Sequence, residues 1–214
     1  INESAFYGCF GLTGSLRIPN NVSRIGERCF FGCFGFNGTI EITDSIEKIE
    51  PFTFYGCCQL KGDLAIPDNV VQIGISSFAG CSELNGRLSL SKHLVSIGEN
   101  AFFKCHRLKG ELEIPNSVSK IGSGAFFECS EISGDLILPY SLDMIESNTF
   151  YGCSNLTGPL SIPLKVKEID DGAFYGCLNL CRSLMIPDSV TSIGSLSFYG
   201  CLRYNESLIL SSSL

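Results

Sequence analysis

The sequence predicts a β-rich solenoid: a parallel sheet along at least one face, single helical turns and bends on the other, and about nine repeats of 24 residues. Three observations carry this. Phenylalanine falls at Phe6, Phe30, Phe54, Phe78, Phe102, Phe126, Phe150, Phe174 and Phe198, always 24 residues apart, with no insertion or deletion. Cysteine keeps the same interval three residues later, from Cys9 to Cys201. Leu12, Leu16, Ile18, Val22, Ile25 and Phe30 head columns that stay aliphatic or aromatic in essentially every copy. A fixed period of roughly 20 to 50 residues signals stacked repeats. A unit of 24 cannot bury a core by itself, so each must stack on its neighbours.

The unit can be taken from Leu12 to Gly35. It opens with glycine at Gly14, Gly38, Gly62, Gly86, Gly110, Gly134 and Gly158, read as a bend that wants positive φ or a close neighbour. Arg182 and Glu206 stand there in the last two copies. Leu16-x-Ile18 alternates with period two and is followed by Pro19, Pro67, Pro115, Pro139, Pro163 and Pro187, where a strand should stop for want of an N–H. Thr43, Ser91 and Ser211 replace proline elsewhere, so the stop is a preference. Val22-x-x-Ile25-Gly26 is a second short extended segment. The small residue Cys29, Phe30 and Cys33 then fall at i, i+1 and i+4, one face of a single helical turn. Pro51 fits the start of that turn and Gly32 its end.

Composition narrows the partners. A formal charge of −7 and a pI near 4.8 argue against nucleic acid or an anionic membrane surface, which need a basic footprint. With 44 % hydrophobic and 17 % charged residues the chain is not disordered. No apolar run approaches the roughly 18 residues that span a bilayer, so no membrane insertion by this fragment is expected. Ile1 sits at the Ile25 position of the repeat, so the chain opens in mid-unit; residues 1–214 read as a single solenoid domain, a fragment without terminal caps.

Nine of the twelve cysteines occupy one core column; Cys29, Cys58 and Cys181 lie off it. Buried free thiols are the favoured reading over disulfides. Structural zinc wants four converging ligands, often from CxxC pairs, and the sequence has none. His93 and His106 stand in different columns without a recurring carboxylate, so no catalytic, cofactor-binding or metal residue is assigned. Five Asn-x-Ser/Thr sequons begin at Asn2, Asn21, Asn37, Asn155 and Asn205.

The outward positions of the main strand vary while the core columns do not. Arg17, Glu41, Asp63, Arg87, Glu111, Glu113, Asp135, Ile137 and Met185 are the candidate protein-binding face. The plain reading is a solvated sheet; the functional one is a strip with an acidic middle and an apolar C-terminal end. Arg24, Lys48, Lys120 and Lys167 belong to another face, a separation of sign that would orient a partner.

The phrases LRIPNNVSRIGERCFFGC, LAIPDNVVQIGISSFAGC and LEIPNSVSKIGSGAFFEC resemble the BspA-like, or Treponema-type, leucine-rich repeat, LxIPxxVxxIGxxAFxxC. The Leu-Thr-Gly at Leu12–Gly14 and Leu156–Gly158 resembles the longer version of this repeat seen in surface proteins of parasitic protists. The resemblance implies a leucine-rich-repeat solenoid at the cell surface, adhering to a host-matrix or cell-surface protein, with no catalytic or cofactor residues. An intracellular scaffold of the same fold is the alternative; a solenoid enzyme acting on polysaccharide, which would need a cleft with paired carboxylates, is the distant one.

Overall fold

The computed structural model describes residues 1–180, 184–201 and 208–214. The departures from the bend glycine at Arg182 and Glu206, the off-column Cys181 and the sequon at Asn205 lie outside the described residues. The nine phenylalanines mark out about eight coils of a parallel β-solenoid, slightly fewer than the nine repeats expected. Phe54, Phe78, Phe102, Phe126, Phe150 and Phe174 are fully buried. From Phe30 to Phe174 the rings stack with centroids 5.1–5.7 Å apart and planes within 17° of parallel. One continuous apolar cluster runs from Leu16 to Cys201.

Two interrupted sheets line the coil, the first broken into four ladders and the second into two. The first comprises Leu16–Arg17, Ile40–Glu41, Leu64–Ala65, Leu88–Ser89, Gly110–Glu111, Ile132–Asp135, Leu156–Thr157, Leu184–Met185 and Leu208–Ile209. In strands such as Leu16–Arg17 the first residue is buried and the second exposed, as the alternation requires. The second comprises Lys48–Ile49, Gln72–Ile73, Ser96–Ile97, Lys120–Ile121, Met144–Ile145, Glu168–Ile169 and Ser192–Ile193. Wherever its strands pair they keep the 24-residue step: Lys48 faces Gln72, which faces Ser96, which faces Lys120, and Met144 faces Glu168.

The first sheet is less regular. Leu16 faces Ile40 and Leu64 faces Leu88 in step with the repeat, but Arg87 faces Lys109, Gly110 faces Ile132 and Gly134 faces Leu156, each two residues short of it. A slip of two preserves which side chains point inward, so Leu112 and Leu136 stay buried. The ladder is also interrupted: Ile18, Ile66 and Ile186 donate to Glu41, Ser89 and Ile209 in the next coil, a bond not formed by Ile42, Leu90, Ile114, Leu138 or Ile162.

Proline helps stop the strand by carrying the next turn. The amides of Val22, Val70 and Val118 donate to the carbonyls of Pro19, Pro67 and Pro115 at 2.9–3.0 Å. Thr43 and Ser91 accept the same bond from Ile46 and Leu94 at 3.2 Å, which is why proline is dispensable there. At the bend both glycine readings occur: Gly62 has φ 80°, whereas Gly86 is tight, a β-carbon there falling 2.5 Å from the Asp63 nitrogen.

The expected helical turn around the phenylalanine is not a helix, and no helix occurs among the described residues. Alternate amides leave the segment. Cys29, Phe31 and Cys33 donate locally to Gly26, Arg28 and Phe30, while Arg28, Phe30 and Gly32 donate to Pro51, Thr53 and Tyr55 of the next coil. Arg28 (φ 55°) and Gly32 (φ 69°) sit in the left-handed region, which interrupts any right-handed run. The result is a string of β-turns that serves as a third ladder between coils.

Candidate binding face

All nine residues of the candidate face are exposed, over core positions that are buried. They do not form one cluster. Arg17 and Glu41 pair with each other at 2.9 Å near the N-terminal end. The Asp63 carboxylate accepts from the Arg87 backbone N–H at 2.8 Å, and that of Asp135 accepts from the Thr157 hydroxyl at 3.0 Å.

Two grooves open where the first sheet loses its register. Arg87, Glu111 and Glu113 line one of about 750 Å³, together with Lys92, whose ammonium lies 3.6 Å from Asp68. The side chains of Arg87, Glu111 and Glu113 form no ion pair among the described residues. Ile137 and Met185 line a second groove of about 530 Å³ with Tyr140 and Leu164, floored by Leu136, Leu160 and Ile162 and edged by Pro159 and Pro163. On the second sheet the cations Arg24 and Lys120 already lie 3.5 Å from Glu50 and Glu146.

Two features escaped the reading of the sequence. Tyr140 and Leu164 occupy a column held elsewhere by Asn20, Asp44, Asp68, Lys92 and Asn116, so their apolar character was a visible departure. The residue after each core phenylalanine forms a second, partly exposed aromatic ladder. Phe103, Phe127, Tyr151, Tyr175 and Tyr199 stack at 4.5–4.8 Å, and Tyr7, Phe31 and Tyr55 do so at 4.6–4.8 Å, with Ala79 between the two runs. Each ring face is covered by its neighbour, so the ladder offers ring edges.

The other chemically capable groups are engaged in holding coils together. His93 and His106 pair through Nδ1 with the carbonyls of Asp68 and Glu128, at 3.0 and 2.9 Å. Column thiols from Cys33 to Cys201 each donate to the carbonyl of the phenylalanine 27 residues earlier. Burial pushes the Cys105 and Cys153 thiols up to about 12. The described cysteines are all unpaired, and among the described residues no group of three or more His, Cys, Asp or Glu is placed to hold a metal ion. Nor is any helix there long and apolar enough to cross a membrane.

The comparisons agree with this architecture. A family model described as BspA type leucine rich repeat region matches residues 1–133 and 86–205 in six copies. A leucine rich cell surface protein from Faecalibacterium prausnitzii is similar over 99 % of this chain, at 26 % identity and a TM-score of 0.62; the chain spans 63 % of that structure's length. The T. pallidum leucine rich repeat protein is 30 % identical, with a TM-score of 0.50, over 84 % of this chain and 70 % of its own. The comparison with curated proteins finds no match. A 24-residue coil, an LxIP strand and a buried phenylalanine and cysteine column, joined by a family match over most of the length, place the chain in the BspA-type leucine-rich repeat family.

Proposed function

We propose that this chain is a protein-interaction module of the cell surface, one solenoid domain of a longer protein, which uses the first sheet to bind a host-matrix or cell-surface protein. The observation that carries the reading is the pair of grooves on that sheet. They gather Arg87, Glu111, Glu113, Ile137 and Met185 from columns that vary freely over a fixed core. The family's repeat architecture suits protein binding, and the description of the F. prausnitzii relative as a cell surface protein supports the location.

A specific interface needs roughly 800 Å² per partner. Coils about 4.8 Å apart, each offering two or three outward side chains, require about four to six of them to take part. Catalysis is no part of this proposal, since both histidines are bonded to backbone carbonyls.

The test is capture of matrix or cell-surface proteins by the immobilised module. Glu111→Lys with Glu113→Lys should weaken capture while leaving the melting curve nearly unchanged, and Lys120→Glu on the second sheet should do neither. Loss with Lys120→Glu and survival of the double reversal would put the binding surface on the other sheet. A scaffold inside the cell would use the same surface, and the unpaired thiols fit a reducing compartment. Location of the full-length protein, with or without an export signal, separates the two.

A further inference from the structure

Resting on the reading of the first sheet as the binding surface, we propose that the partner presents one extended segment with a basic end seated over Glu111 and Glu113 and an apolar end seated in the groove of Ile137, Tyr140, Leu164 and Met185.

Charge complementarity argues for the basic end. Glu111 and Glu113 are two residues apart on the same outward face, both exposed, and neither meets a cation within 4 Å among the described residues. Some carboxylates elsewhere do find one, Glu41 with Arg17 and the partly exposed Glu83 and Glu131 with Arg107 and Lys109, whereas Asp44, Glu47 and Asp143 are exposed without one; Glu111 and Glu113 differ from these in standing as a pair on one coil. Two like charges about 7 Å apart repel, and a lysine or arginine from outside would relieve both at once. Arg87 and Lys92 line the groove from the preceding coil and repel a cation there, so the basic residue must sit directly over the Glu111–Glu113 coil.

Exposure argues for the apolar end. Leu164, Ile137, Tyr140 and Met185 are 81, 71, 65 and 63 % exposed, four of the five most exposed large apolar side chains among the described residues, and all four line one groove. Apolar area concentrated in this way marks a surface that is covered in use.

The spacing fixes the segment. Ile137 is one coil beyond Glu113 and Met185 three coils beyond it, about 14 Å along the solenoid axis, which an extended chain crosses in about four residues. Its surface-facing side chains recur every second residue, so the pattern is Lys-x-Leu-x-Leu or its reverse, the one lysine seated between the two carboxylates. An acidic protein surface disfavours an anionic membrane as the occupant.

The probes are the peptides acetyl-Lys-Ser-Leu-Ser-Leu-amide and its retro-ordered form, titrated by calorimetry into the folded 214-residue chain. One order should bind with submillimolar Kd, about 10-fold more weakly to Glu111→Lys with Glu113→Lys. That variant should instead bind the analogue with Glu for Lys, which wild type should not. Ile137→Ser with Met185→Ser should weaken both peptides about fivefold without changing charge preference. Thermal melts should confirm that each variant is folded.

No binding of either order below about 1 mM, or equal binding of the acidic analogue to wild type, overturns the proposal. So does cosedimentation with phosphatidylserine-containing vesicles that depends on Ile137. If the peptides fail while matrix or cell-surface capture still responds to Glu111→Lys with Glu113→Lys, the surface stands and the segment falls. If capture also ignores those changes, the reading of the surface falls with it.

Discussion

The Cys105 thiol donates to the carbonyl of Phe78, one coil earlier, at 3.1 Å. Cys129 and Cys153 repeat the bond to Phe102 and Phe126 at the same distance, so the two invariant columns are joined by a thiol ladder inside the apolar core. Burial holds these thiols neutral. Burial raises Cys105 and Cys153 from an ordinary 9.0 to about 12. Because the folded state keeps the proton to higher pH than the unfolded chain, their contribution is complete below about pH 9 and is lost as pH rises toward 12. Each such thiol should remove about 1.4 kcal/mol per pH unit in that window. Urea melts between pH 8 and 11 should show a falling unfolding free energy, with a shallower slope for Cys105→Ala. An unchanged slope would mean that the column is not titrating.

The same burial predicts slow chemistry. Thiolate is the reactive form, and Cys105 has neither thiolate nor access to solvent at neutral pH. The half-buried Cys9 and Cys58 should modify first with a thiol reagent in the native state. Denaturation should release all twelve cysteines. Six disulfides found by mass spectrometry would refute this and assign the protein to an oxidising compartment.

Phe102 is enclosed between Phe78 and Phe126, with centroids 5.6 and 5.4 Å away. Neighbours fixed on both sides cannot collapse into the space it leaves, so Phe102→Ala should cost about 3–5 kcal/mol. Arg87→Ala, at an exposed side chain without an ion pair, should stay within about 0.5 kcal/mol. Equal losses in urea melts would reverse the assignment of inside and outside.

How far the sequence could be read follows from what a repeat encodes. Buried columns such as Leu16 and Phe30 were legible because burial constrains side chains, and the exposure of Arg17 and Met185 followed from strand alternation. Backbone bonding was not legible. The i, i+1, i+4 pattern of Ala101, Phe102 and Cys105 reads as helical, yet Phe102 donates to Ala125 of the next coil. The slipped pairing of Gly110 with Ile132 is hidden for the same reason: the sequence period never changes, and Gly110 lines the first of the two grooves. Glu111, Glu113, Ile137 and Met185 were named from their columns, while Tyr140 and Leu164 lie past the strand in a turn column where outward residues were not sought.

Lys104 offers a test of the turn ladder itself. It occupies the column of Gly8, Gly32, Gly56 and Gly80, and like them it is left-handed, with φ 58°. Its amide donates to Phe127 of the next coil at 2.8 Å, so the conformation is imposed by a bond between coils that the side chain does not help to form. A left-handed L-residue costs about 1–2 kcal/mol. Glycine removes that cost but returns about 0.4–1 kcal/mol through the freedom of its unfolded chain. The Lys104 ammonium lies 4.0 Å from Glu128 and 5.2 Å from the Phe103 ring centroid, exposed contacts worth at most fractions of a kcal/mol. Lys104→Gly should therefore raise stability by about 0.5 kcal/mol, and Lys104→Val, branched at the β-carbon, should lower it by about 1–2 kcal/mol. If the segment were a right-handed helical turn, the order would be inverted, because glycine would then cost about 1 kcal/mol relative to a good helix former. Thermal melts of the two variants decide between these backbones.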